Sequence, residues 1–131
     1  MKIKSFLVVF FIASVLLNCK QAEEDSVVEV ITVEEMDELL EMGKVQLIDV
    51  RTPGEYAQGY IEGAVNIDFR DENFEDLISK IDKTKPVIVY CARGGRSNKC
   101  SNYMKKAGFT KIYDLDGGIT EWKFKKKKVI K

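Results

Sequence analysis

A chain of 131 residues with 21 basic and 21 acidic side chains carries no formal net charge, and its length suits one domain built on one core. Its apolar share of 45% and charged share of 32% are those of an ordinary globular protein, which excludes a disordered or fibrous chain. Neutral charge and the lack of any interleaving of arginine with aromatics exclude nucleic acid as a partner. The absence of histidine removes a cysteine–histidine pair and an imidazole general base from the possible chemistries.

The first segment reads apart from the rest. Lys2 and Lys4 precede an almost unbroken apolar run from Phe6 to Leu17, shorter than the ~20 residues that span a bilayer. The pattern predicts a signal peptide over residues 1–18. Leu16-Leu17-Asn18-Cys19 resembles a bacterial lipobox, with Asn18 where Gly, Ala or Ser is usual. The resemblance implies lipidation at Cys19, a polar, acidic tether over residues 19–26, and attachment to a membrane of the bacterial cell envelope, on its periplasmic or surface face. Several acyl chains anchor firmly where a single one is marginal.

A domain is expected over residues 27–124. Val27 to Ile31 reads as a strand. Thr32 and Glu35 form a capping box that opens a helix to about Met42, with Met36, Leu39 and Leu40 on its apolar face and Gly43 as its stop. Val45 to Val50 is a nearly continuous apolar strand, the sign of a sheet covered on both faces. Thr52-Pro53-Gly54-Glu55 repeats the capping device and predicts one short helical turn ending near Gly59. Ala64 to Ile67 is a brief strand. Phe74, Leu77, Ile78 and Ile81 recur at helical spacing, and Pro86 to Tyr90 is the most buried-looking strand.

Ser97 to Lys106 reads as a helix with Cys100, Tyr103, Met104 and Ala107 as its stripe, ended by Gly108. Lys111 to Leu115 alternates like an edge strand, and Gly117-Gly118 turns into a last helix carrying Ile119, Trp122 and Phe124. The basic segment 125–131 reads as a solvated, frayed tail with anionic lipid as its candidate ligand. Strands alternating with helices predict an α/β fold, a mostly parallel central sheet with helices on both faces. Ligands of such sheets sit beyond the carboxyl ends of the strands.

Cys91 falls at such an end. Tyr90-Cys91-Ala92-Arg93-Gly94-Gly95-Arg96-Ser97 runs from strand through a Gly-Gly turn into a helix, so successive N–H groups and the helix N-terminus form an anion cradle. A thiolate there is stabilised below its free pKa of roughly 8.5, and Arg93 and Arg96 add positive charge. Cys100 lies about two and a half turns along the helix, too far for a disulfide with Cys91, and reads as core.

With those residues identified, the chain resembles the single-domain rhodanese sulfurtransferases. Leu47-Ile48-Asp49-Val50-Arg51-Thr52-Pro53-Gly54-Glu55-Tyr56 and Gly59-Tyr60-Ile61-Glu62-Gly63-Ala64-Val65-Asn66-Ile67 look like two family signatures. Cys91 to Ser97 is similar to the active-site loop, and Asp116-Gly117-Gly118 with Trp122 to the C-terminal signature. Tyr60 stands where many relatives have histidine.

The resemblance implies that Cys91 attacks a small anionic sulfur donor such as thiosulfate, becomes a persulfide, and passes the sulfur to a thiol or cyanide. Ala92, Arg93, Gly94, Gly95, Arg96 and Ser97 would hold the persulfide. No metal and no organic cofactor is implied, and the protein is expected to be a monomer. Asp49, Arg51 and Glu55 are supporting residues: Asp49 closes its strand beside the site, Arg51 pairs with Glu55 or another acid, and Arg96 pairs with a carboxylate behind the loop. Arg93 either faces the pocket mouth or is a solvated loop charge. Two alternatives stay open: a non-catalytic rhodanese-like module that binds a partner or carries sulfur, and a cysteine phosphatase or arsenate reductase. Phosphatases on a related fold use a loop one residue longer than the six residues from Cys91 to Arg96.

Overall fold

The computed structural model describes residues 26–131; the expected signal peptide, Cys19 and nearly all of its tether lie outside the described residues. Five strands and five helices alternate: β1 (Val28–Ile31), α1 (Val33–Met42), β2 (Gln46–Asp49), α2 (Pro53–Ala57), β3 (Val65–Asn66), α3 (Phe74–Ser79), β4 (Val87–Tyr90), α4 (Gly95–Lys106), β5 (Ile112–Leu115) and α5 (Gly118–Phe124). The strands form a single sheet in the order β1-β5-β4-β2-β3, and each pairing is parallel. This is the α/β architecture that the alternating pattern predicts.

Local chemistry sets the helix starts. Thr32 and Thr52 each accept from the backbone of the glutamate three residues on, and Glu35 and Glu55 each reach back to the cap N–H. Both boxes thereby satisfy two donors that a helix N-terminus otherwise leaves open. Pro53 occupies the first turn of α2, where its missing N–H costs nothing.

The pleat of β4 divides the core. Val87 and Val89 face a layer with Ile48, Phe74, Ile78, Cys100 and Met104, which α3 and α4 cover. Ile88 and Tyr90 face the opposite layer with Leu47, Met36, Ile119 and Trp122, which α1 and α5 cover. All four β4 residues are fully buried, as a central strand covered on both faces must be.

Three expectations are corrected. Lys111 to Leu115 does not form an edge: β5 lies between β1 and β4, and β1 and β3 are the edges. The alternation that suggested an edge comes from the half-buried Tyr113, while Asp114 points into the core at 4% exposure. Phe124 is 77% exposed and adds nothing to the core.

The segment 125–131 is not a free tail. Tyr60 and Ile130 exchange backbone hydrogen bonds of 2.9 and 2.8 Å in an antiparallel bridge, and Trp122 Nε1 donates to the Lys128 carbonyl at 2.9 Å. Lys125 pairs with Glu34 at 3.0 Å, and Lys127 pairs with Asp37. Acids on α1 thus pair with two of the five lysines in the segment.

Candidate active site

β4 ends at Tyr90, which leaves Cys91 at the carboxyl edge of the most buried strand, itself 1% exposed. The chain then reverses through Gly94, whose φ of 118° lies where only glycine is unstrained. That reversal aims the Gly94 N–H at Cys91 Sγ, 3.0 Å away. As a thiol, Sγ donates to Ser97 Oγ at 3.6 Å, and the Ser97 hydroxyl donates to the Gly94 carbonyl at 3.2 Å.

Burial pushes the Cys91 thiol up, but the Ser97 backbone N–H, the Ser97 hydroxyl and the N–H groups of Gly94 and Arg93 outweigh it, and the net pKa is lowered. The balance is that of an anion solvated by fixed dipoles instead of water. The N-terminus of α4, a helix of 12 residues, adds its own positive end.

The last helix braces the loop. Ile119 N–H donates to the Cys91 carbonyl at 2.9 Å and Thr120 N–H to the Ala92 carbonyl at 3.1 Å. Those bonds tie the Cys91 and Ala92 carbonyls to the start of α5 and hold the beginning of the loop in place. Gly118 makes this approach possible: it sits at φ +57°, and a Cβ there would lie 2.4 Å from the Cys91 carbonyl oxygen.

Arg96 and Glu55 clamp the loop from behind. Arg96 Nη1 and Nη2 donate to Glu55 Oε2 and Oε1 at 2.7 and 2.8 Å, a bidentate pair of the strong kind. The Arg96 guanidinium, with help from the Thr52 cap, holds the Glu55 carboxyl down at about 2. One carboxylate thus caps α2 and fixes the first turn of α4.

Arg51 takes the other option left open to it. Its Nη2 and Nε donate to Asp49 at 2.6 and 3.0 Å, while Glu55 offers it only a backbone carbonyl, at 3.3 Å. Nη2 also donates to the Gly59 carbonyl at 2.7 Å. Both side chains of the pair are buried, so they lock β2 to the segment before Tyr60, and their hydrogen bonds go to each other and to the backbone of that segment. Arg93 is exposed at the crest of the loop, and its side chain makes no hydrogen bond or ion pair among the described residues.

Cys100 is fully buried against Met104, with sulfurs 3.6 Å apart, and burial pushes its thiol up to about 12. It has none of the dipoles that surround Cys91. Sequence reasoning missed Asp114, a carboxylate buried beneath α4. Its signal was present, because it shares a face of β5 with the fully buried Ile112 two residues earlier.

Fold and site together define an α/β enzyme with a cysteine cradled by backbone N–H groups at the carboxyl end of its central strand. Residues 32–125 match the rhodanese-like domain family. The thiosulfate sulfurtransferase GlpE of Shewanella oneidensis is 32% identical over 92 residues, covering 70% of this chain and 89% of that protein. A rhodanese-related protein of Thermoplasma volcanium superposes with a TM-score of 0.69 at 25% identity, over 78% of this chain and 97% of that one. The human single-domain sulfurtransferase TSTD1 superposes with a TM-score of 0.63 at 28% identity, over 73% and 96% of the two chains. The chain belongs to the rhodanese-like domain family and is a sulfurtransferase of the rhodanese type.

Proposed function

We propose that Cys91 carries sulfane sulfur as a persulfide, taken from thiosulfate or from a persulfide or polysulfide donor and handed to a thiol or to cyanide. The Cys91 thiolate attacks the outer sulfur of thiosulfate. A Cys91–sulfur bond forms, the sulfur–sulfur bond of the donor breaks, and sulfite leaves with the bonding pair. The persulfide keeps one negative charge, which the N–H groups of the loop hold by preorganised hydrogen bonds. Cyanide then attacks the outer sulfur, thiocyanate departs, and the Cys91 thiolate returns in its cradle.

The observation that carries this reading is the short loop: six residues from Cys91 to Arg96, with the Gly94 N–H at 3.0 Å from Sγ. A ring of that size closes on one sulfur atom and leaves less room for a tetrahedral oxyanion than the longer phosphatase loop. Arg93, exposed and without a partner side chain among the described residues, supplies positive charge where an anionic donor arrives. The lipid anchor at Cys19, and with it a place at the bacterial cell envelope, belongs to the same proposal and rests on the lipobox-like segment. The protein is proposed to act as a monomer.

The test is the intact mass of the protein after thiosulfate and then cyanide, with Cys91→Ala beside it. We expect one added sulfur on the wild type alone, removed by cyanide as thiocyanate. Absence of the adduct with both thiosulfate and polysulfide would refute the reading in favour of a binding module.

A further inference from the structure

Asp114 has no role in the sulfur transfer described so far, yet it lies beneath the site. β5 pairs with β4 in register Val89 with Asp114, one residue pair short of the strand end that leads into Cys91. Its side chain enters the layer that α4 covers, at 4% exposure, and Oδ1 has no hydrogen-bond partner among the described residues. A buried carboxylate oxygen without a partner is costly, and a feature of that cost needs a reason.

The neighbour that can supply one is Ser97, itself fully buried. Its hydroxyl has one proton and three candidate acceptors: the Gly94 carbonyl at 3.2 Å, Cys91 Sγ at 3.6 Å, and the Asp114 carboxyl against which it packs. From this geometry we infer that Asp114 is a positioning residue for the sulfur-carrying cysteine, acting through the direction in which Ser97 points its proton. This rests on Cys91 being the nucleophile. While Asp114 is protonated, its own O–H can donate to Ser97 Oγ and leave the serine proton free for the Cys91 thiolate. Once ionised, Asp114 draws that proton to itself and sets a negative charge behind the serine.

The titration range makes the device usable. Burial pushes the Asp114 carboxyl up, Ser97 lowers it in part, the Asp116 charge raises it further, and it titrates at about 6. The groups that face it are few. Asp116 approaches from the end of its own strand, and Ser97 and Cys100 face it from α4. β1 and β4 set Val30 and Val89 alongside it.

The experiment is the thiolate fraction of Cys91 as a function of pH, followed by ultraviolet absorbance and by the rate of alkylation, in wild type, Asp114→Asn and Ser97→Ala. We expect the wild type to show a second inflection near pH 6. Asp114→Asn should lack it and lower the thiol pKa by about one unit, a tenfold gain in thiolate over thiol. Ser97→Ala should lack it too. A merely structural Asp114 would leave the profile of Cys91 with one inflection in all three proteins, which overturns the inference.

Should Asp114→Asn not fold, the carboxyl can be followed in the wild type by carbon-13 NMR. Coupling is reciprocal, so the Asp114 signal must carry a second inflection over the range in which Cys91 ionises, and Cys91→Ser must lose it; one unchanged transition in both proteins overturns the inference. Sulfur uptake from thiosulfate is measured in parallel. A wild type with the second inflection but no sulfur adduct refutes the sulfurtransferase reading and leaves the Asp114–Ser97–Cys91 coupling established.

Discussion

Replacing Gly118 by alanine sets a methyl group against the back of the active-site loop. The new Cβ would stand 2.4 Å from the Cys91 carbonyl oxygen and 2.7 Å from the Ala92 carbonyl carbon and oxygen. Contacts below 3.0 Å do not persist, so the loop or α5 must retreat by at least 0.6 Å. Both neighbours are backbone, and no flexible side chain can swing aside. The left-handed φ costs alanine about 1 to 2 kcal/mol, and loss of the Ile119 and Thr120 hydrogen bonds adds about 1 kcal/mol each. We expect a stability loss of about 3 to 4 kcal/mol.

Activity should fall further than stability explains, because a released loop no longer aims its N–H groups. Loss of one such donor from an anion site costs about 100- to 1,000-fold in rate. Gly117→Ala is the matched control: it too places alanine at positive φ, but its Cβ meets Glu121 at 2.7 Å and not the loop. Urea unfolding gives stability, and thiocyanate formation from thiosulfate and cyanide gives the rate. A folded Gly118→Ala protein turning over within about threefold of Gly117→Ala would refute the claim that α5 orients the cradle.

Two further outcomes follow from the ion pairs and the C-terminal segment. Glu55 has its pKa lowered from 4.5 to about 2, so its pairing contributes stability that is full above pH 4.5 and lost as pH falls toward 2. The full shift corresponds to about 3 kcal/mol, which the 36% exposure of its side chain reduces to about 1 kcal/mol. Glu55→Gln should flatten that acid limb in urea titrations between pH 5 and 2; a parallel limb in the variant would contradict the assignment. Truncation after Lys125 removes the Tyr60–Ile130 bridge, the Trp122–Lys128 bond and the Val129 packing against Gly59. The cost is expected at about 3 kcal/mol, and an unchanged urea midpoint would show that the segment is not part of the fold.

Much of the architecture was legible because its determinants are local. Both capping boxes stand where Thr32 and Thr52 announce them, and the apolar run Val87-Ile88-Val89-Tyr90 is the central strand it looks like. The Gly94 turn also reads directly, since few residues adopt its backbone. Pairings across distance were not legible. Alternation along Lys111 to Leu115 reports which side chains face inward but not which strands lie beside them, and so β5 read as an edge. Glu55 had two arginines within plausible reach, and only the fold decides that the one 41 residues away takes it. The docking of Ile130 on Tyr60 is made of backbone hydrogen bonds, which no side-chain pattern encodes. Asp114 was visible as a charge in a core-facing position, and reading β5 as an edge hid its meaning.

The bonds from Ile119 and Thr120 to the Cys91 and Ala92 carbonyls have a consequence for the order of assembly. The pieces that make the thiol reactive come from distant parts of the chain: β1 pairs with β5, and α5 holds the loop. During synthesis Cys91 emerges well before the residues that orient its amides, and domains fold as units. A nascent, truncated or proteolysed chain therefore carries an ordinary thiol, slow to react at neutral pH. The contacts that favour the Cys91 thiolate exist only when the domain is whole.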